Sequence, residues 1–211
     1  MTDSSKDHEL RREALRLCDR YVEEVVVGFG LCPWAAPVVR AGRVARDVVT
    51  EAAPAPAACL PVIDAWEVDG RVTIGLLVLP RFAGTRGAFD RFAEEVRRAD
   101  RARRAGAPPF VVAAFHPEGL TAFAGPPQLV SFLRRTPDPM LQFVRADLLA
   151  GVLAAGPDVS GQVAAHNHAT LTGPGQTARF DAVIRALRAD RDATYARLGL
   201  LHPDADVTEG L

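Results

Sequence analysis

FVVAAFHPEG at 110–119 and LRRTPDPMLQFVR at 133–145 form the stretch on which the reading of this chain turns. The first segment opens as a continuous apolar run of strand length, the pattern of a strand covered on both faces. It ends in His116, followed by a proline that frees the chain from the sheet. The second segment is basic, then framed by Pro137 and Pro139, then apolar again. Thr136 or Asp138 can cap a helix whose first position tolerates proline, so the spacing predicts a helix over 140–155. Upstream, VTIGLLVLP at 72–80 is another apolar run. Between the two runs, residues 88–105 carry Phe89, Phe92, Ala93 and Val96 on one face of an amphipathic helix. Strand, helix and strand in succession predict a right-handed βαβ crossover joining parallel neighbours.

Working outward, Leu10, Ala14, Leu17, Cys18, Tyr21, Val22 and Val25 recur at three- and four-residue spacings and predict a helix over 7–27. Gly28 and Gly30 end it. Residues 43–51 read as a short strand, 52–61 as a Pro/Ala connector, and 62–66 as a short strand or one helical turn. Helices are predicted over 128–134, 159–171 and 180–198. The expected architecture is a single α/β domain over 9–200. It has a small three- to four-stranded sheet with a βαβ crossover and a helical C-terminal cap. Residues 1–8 and 201–211 are expected to be flexible ends.

Composition narrows the function classes. The chain has 211 residues, 48% hydrophobic and 24% charged, enough for one good core. A formal net charge of -1 gives no electrostatic footprint for nucleic acid. No apolar run approaches the roughly 20 residues of a membrane span. Three cysteines without a CxxC pair read as reduced thiols, and the expected location is the cytoplasm.

Four groups are candidates for chemistry. His116 sits where ligands bind in open α/β sheets, at the carboxyl end of a strand. Its ring can act as base, acid or metal ligand. The competing reading is a histidine hydrogen-bonded to a loop carbonyl. Arg135 and Arg145, with Thr136 and the amides of the predicted helix start, suit a carboxylate or phosphate. Gln142 and Arg145 share a face of that predicted helix. The competing reading pairs the arginines with Asp138 or Asp147. Cys32 is either a reactive thiol or a structural cysteine in a tight turn. In His166-Asn167-His168 the two histidines are two apart, so on a helix they do not face one metal together. His166 or Asn167 can line a pocket from the helical cap. His116 and His166 are the candidate metal ligands.

These motifs resemble a known family. GLCPWAAPVV at 30–39, AAFHPEG at 113–119, FAG at 123–125 and RTPDPMLQFVR at 135–145 are similar, in order, to the pattern of domain-of-unknown-function family 1415, a set of small bacterial proteins. In that pattern GLCPFA follows a first helix, SFHP closes a strand, an Arg-Ser-Pro-x-Pro turn leads into a helix reading LHLLRE, and an asparagine lies on a later helix. The resemblance covers residues 10–171. It matches Gly30, Leu31, Cys32, Pro33, His116, Pro117, Arg135, Pro137, Pro139, Leu141, Arg145 and Asn167. Thr136 replaces the family's serine, Gln142 its histidine and Ala146 its glutamate. If the family binds a metal through the last two positions, this chain has lost or rebuilt that site.

Taken together, these groups predict an enzyme acting on a small anionic metabolite, with His116 and Cys32 catalytic. Arg135, Thr136, Gln142, Arg145 and Asn167 would bind the substrate. A transition metal is the cofactor considered, and metal dependence is a variant of this reading. The alternative is a non-catalytic ligand-binding or accessory module.

Overall fold

Both apolar runs deliver strands, but the strands are not hydrogen-bonded to each other. A computed structural model describes residues 3–32, 35–154 and 159–200. In that structure β2 (Ile74–Val78) and β3 (Phe110–Phe115) lie parallel with one strand between them. The intervening strand is β4 (Met140–Arg145), antiparallel to both. On the other side of β2, β1 (Val44–Val48) pairs in parallel, giving the order β1-β2-β4-β3. A 3-10 turn at Pro56–Cys59 and helix α3 (Leu60–Val68) cross from β1 to its neighbour β2. Helix α4 (Arg86–Ala102), capped by the Thr85 hydroxyl, crosses from β2 to β3. The predicted crossover between 72–80 and 110–116 therefore exists, but it straddles β4 instead of joining neighbours.

The main correction concerns 140–145, which are strand where the spacing predicts a helix. Helix α6 (Ala146–Ala154) begins only afterwards. MLQFVR is apolar at four of six positions, a density that fits a buried helix or a central strand equally well. Tertiary context decides. Two parallel strands with a gap between them leave two rows of backbone donors and acceptors unpaired unless a strand fills it. Asp138 also precedes a proline, which biases it toward extended backbone. The Leu79 N–H donates to the Pro139 carbonyl at 2.8 Å, extending the ladder beyond β4. Thr136 and Asp138 consequently cap no helix.

Alternation along the strands builds two apolar faces. Leu77, Leu141 and Phe143 meet Ile63 and Trp66 of α3 and Phe89, Phe92, Ala93 and Val96 of α4. Cys59, in the connector, is fully buried in this layer. Gly75 explains how Trp66 reaches the sheet: a Cβ there would lie 2.3 Å from two of its ring carbons. Leu76, Val78 and Met140 meet the opposite layer. That layer holds α1 (Asp3–Arg20), a π-helical continuation at Tyr21–Val27, α5 (Pro126–Leu133), α7 (Val159–Thr172) and α8 (Gln176–Arg197). The short α2 (Ala35–Arg40) follows the GLC turn. The helical C-terminal region therefore forms part of one layer of a helix–sheet–helix sandwich, with α8 lying along α1.

Several boundaries differ from expectation. Residues 3–8 belong to α1, where a flexible end is predicted. Residues 62–66 lie inside α3. The expected flexible tail at 201–211 lies outside the described residues.

A candidate anion-binding site at the strand ends

At the carboxyl end of β3 the chain is tied to α5: the His116 N–H donates to the Arg134 carbonyl at 3.0 Å. The His116 ring is buried, with Phe89 5.7 Å away. Its Nδ1 accepts the Glu118 N–H at 3.1 Å, and its Nε2 lies 3.1 Å from the Gly84 carbonyl. The proton therefore resides on Nε2, which donates to Gly84. Burial holds this imidazole below the ordinary histidine range, and nearby Glu118 opposes the shift. Both ring nitrogens are engaged by backbone, so the ring organises the 116–119 loop.

That loop delivers Gly119 against Arg135. A Cβ at Gly119 would lie 2.4 Å from Arg135 Cγ and 2.9 Å from the Ser131 carbonyl. Arg135 is buried, its guanidinium 4.0 Å from the Phe132 ring centroid and 5.2 Å from that of Phe180. Its Nε donates to the Phe132 carbonyl at 3.0 Å and its Nη2 to Asp181 at 2.6 Å. Thr136 turns its hydroxyl to the Asp138 carbonyl at 2.6 Å. The buried Asp138 carboxylate accepts from Arg191 Nε and from the Tyr195 hydroxyl, each at 2.7 Å. Burial pushes Asp138 up, and Arg191 opposes the shift. These bonds fasten α8 to the entry of β4.

Fastened in this way, α8 carries Arg188 to the same region. Its Nε and Nη2 are buried and have no hydrogen-bond partner among the described residues. Burial holds this guanidinium below the ordinary arginine range, and the like charge of Arg135 adds to the effect. Asp192 and Glu118 oppose it without hydrogen-bonding those nitrogens. Arg188 thus brings donors with no partner among the described residues into a region where the charges of Arg135 and Glu118 both act on it. Sequence reasoning missed Arg188, Asp181, Arg191 and Tyr195. The available signal was spacing: Arg188, Arg191 and Tyr195 run alongside the Ile184–Leu187 apolar stripe, where side chains border the core.

The other predicted residues are placed elsewhere. On a strand, Gln142 and Arg145 point to opposite faces, so the shared helical face is absent. Gln142 lies between Leu76 and Ala113 in the ladder. Arg145 is at the far end of β4, roughly 17 Å from its start at ~3.3 Å per residue. There its Nε donates to the Val72 carbonyl at 2.9 Å and its Nη2 to the Glu67 carbonyl at 3.2 Å, capping α3. With no helix starting at 136–139, the helix amides expected there beside Arg135 are not formed.

Cys32 is half-buried in the turn after the π-helical segment, and Pro33 and Trp34 lie outside the described residues. His166 Nε2 is 3.1 Å from the Gly30 carbonyl in that turn. Asn167 is buried, its Oδ1 without a partner among the described residues. His116 bonds to neither Cys32 nor His166. Among the described residues no group of three His, Cys, Asp or Glu side chains is placed to hold a metal ion.

The fold and site define a mixed-sheet α/β protein with a buried arginine cluster at the strand carboxyl ends. The chain belongs to the family described as "Protein of unknown function (DUF1415)", whose model matches residues 13–179. Arg135 lies inside the matched span, and Asp181 and Arg188 lie beyond it. None of the curated proteins and none of the solved structures compared with the chain matches it. Among the described residues no helix is long and apolar enough to cross a membrane.

Proposed function

We propose that this protein binds a small anionic ligand, a carboxylate or phosphate, between Arg188 and Arg135 at the carboxyl end of the sheet. The observation that carries the reading is Arg188: a guanidinium with two buried nitrogens that have no hydrogen-bond partner among the described residues, and on which the like charge of Arg135 acts. Burying a charge without a partner is costly, and burying it beside a like charge is more so. An oxyanion would satisfy the free donors and relieve the repulsion. Arg135 contributes charge from a fixed position, held by Asp181 and two aromatic rings.

The ligand-binding reading is favoured over the enzymatic one because the His116 nitrogens are both committed to backbone. An enzymatic version keeps His116 as proton carrier next to the same loop. It requires the Gly84 or Glu118 contact to open when the anion binds.

The test is thermal unfolding with inorganic phosphate, citrate and acetate, on wild type and R188M. At a ligand concentration 100 times Kd, binding stabilises by about 2.7 kcal/mol. At least one anion raises the wild-type Tm by several degrees and leaves R188M unmoved. Without ligand, R188M is as stable as wild type or more so, since methionine removes an unpaired charge. Equal shifts in both proteins, or none with any of the three anions, would overturn the reading.

A further inference from the structure

At the opposite end of the sheet, where β1 and β2 begin and β4 ends, lies a cleft of about 340 Å³ lined by Arg43, Gly70, Thr73, Arg145, Asp147 and Leu148 among others. Backbone bonds lock three of these residues together. The Arg43 carbonyl accepts the Thr73 N–H at 2.9 Å, and the Thr73 carbonyl accepts the Arg145 N–H at 3.1 Å. Arg43 is further held by its Nε, which donates to the Arg71 carbonyl at 3.1 Å. Arg145 spends Nε and Nη2 on the carbonyls of Val72 and the end of α3. Its Nη1 is not among those donors.

Thr73 is the telling residue. It is 5% exposed, it lines the cleft, and its hydroxyl has no hydrogen-bond partner among the described residues. Buried hydroxyls are normally bonded, because leaving one unmade forfeits its hydration. Here Thr73, with its unpaired hydroxyl, lines one concavity together with two arginines, on backbone that the sheet holds rigid. Asp147 also borders the cleft, with its Oδ1 turned back to the Leu148 N–H at 2.8 Å.

We infer that this cleft is a second small-ligand site, taking an oxyanion-bearing molecule whose oxygens meet Arg43, Arg145 and the Thr73 hydroxyl. It is independent of the Arg188 site, at the other end of the sheet and on different side chains. Arg145 thus keeps the anion-binding role its charge suggests, but in a site that Arg135 does not share. The Asp147 carboxylate favours ligands that also carry a donor, such as a monoprotonated phosphate or a hydroxy acid.

The test is an amide NMR titration of the full chain with inorganic phosphate and, separately, with lactate. Comparing the two separates phosphate from carboxylate recognition. Thr73→Val removes the hydroxyl and keeps the shape. Arg43→Gln acts at an exposed position, so neither variant threatens the fold. One of the two ligands moves the amides of Gly70, Thr73 and Asp147 saturably in wild type and in R188M. The same ligand binds roughly tenfold more weakly in each of T73V and R43Q, the usual loss for a hydrogen bond involving a charged group. No saturable shift with either ligand, or unchanged affinity in both variants, would overturn the inference. Persistence in R188M separates this site from the one at the strand carboxyl ends.

Discussion

Replacing Arg191 by methionine should destabilise the protein by several kcal/mol, and acid should give part of that loss back. Asp138 is 3% exposed and accepts two hydrogen bonds of 2.7 Å, from Arg191 and Tyr195. Removing Arg191 leaves a buried carboxylate with one neutral donor. Breaking a buried pair from one side costs about 3–5 kcal/mol. Removing both charges with a D138L/R191M double variant should cost less than the single change, because no orphaned charge remains. The pH dependence follows from linkage. Burial already raises Asp138 above its ordinary value of 3.8, and loss of the cation raises it further. A raised carboxyl favours the protonated fold, so its contribution is fully present below the unfolded value and is lost as pH rises through the folded one. The gap between R191M and wild type therefore narrows as pH falls from 7 toward 4. Urea unfolding followed by circular dichroism measures all three proteins across that range. A cost under about 1 kcal/mol for R191M, a gap that stays constant with pH, or a double variant that pays the sum of both losses would refute the reasoning.

His116 sets a second pH dependence, of the opposite kind. Its folded value is lowered by burial, so the fold favours the neutral ring. That stability is fully present above the unfolded value near 6.5 and is lost as pH falls toward the folded one, with a slope of at most about 1.4 kcal/mol per unit. Urea midpoints at pH 7.5 and 5.5 should fall more for wild type than for H116N, and parallel curves would count against the assignment. Gly75→Ala places a methyl group 2.3 Å from the Trp66 ring, which is buried and set edge-on to Phe143 at 5.6 Å. It should cost about 1–3 kcal/mol as overpacking, and a W66L change in the same chain should recover part of it. Additive losses would show that Trp66 is not the obstacle.

How much of this was legible before the structure depends on the segment. The strands at 72–80 and 110–116 and the helix between them declare themselves through uninterrupted apolar runs and a clean amphipathic period. The first helix does the same through Leu10, Ala14, Leu17 and Tyr21. Residues 140–145 were not legible, because the same apolar letters fit a helix after a proline turn or a strand inside a sheet. The choice lies with β2 and β3, which are distant in sequence. The site follows the same division. His116 was placed correctly at a strand end, and the competing reading, a loop-carbonyl hydrogen bond, describes its Gly84 contact. Arg188 gave no local signal beyond its spacing, since a chain rich in arginine presents many such residues on helix surfaces. Its partners Arg135 and Glu118 arrive from elements more than fifty residues away.

The strand at 140–145 also determines how the two proposed arginine sites relate. A helix there would have gathered Thr136, Gln142 and Arg145 near Arg135, around one ligand. A strand sends Arg145 roughly 17 Å away at ~3.3 Å per residue, and one expected site becomes two proposed ones at opposite ends of β4. That strand is central, paired on both sides, with Leu141 and Phe143 fully buried. Such an element has no second register to adopt, since a slip of one residue would turn Phe143 and Leu141 out of their layer. Coupling between sites needs an element with two arrangements that both ligands bias, and β4 offers only one. Ligands at the two ends should therefore stabilise the fold additively. Saturating both sites should raise the unfolding free energy by the sum of the separate increments, within about 0.5 kcal/mol. A clear excess or deficit in thermal or urea unfolding would mean that the helical layer, and not the strand, connects them.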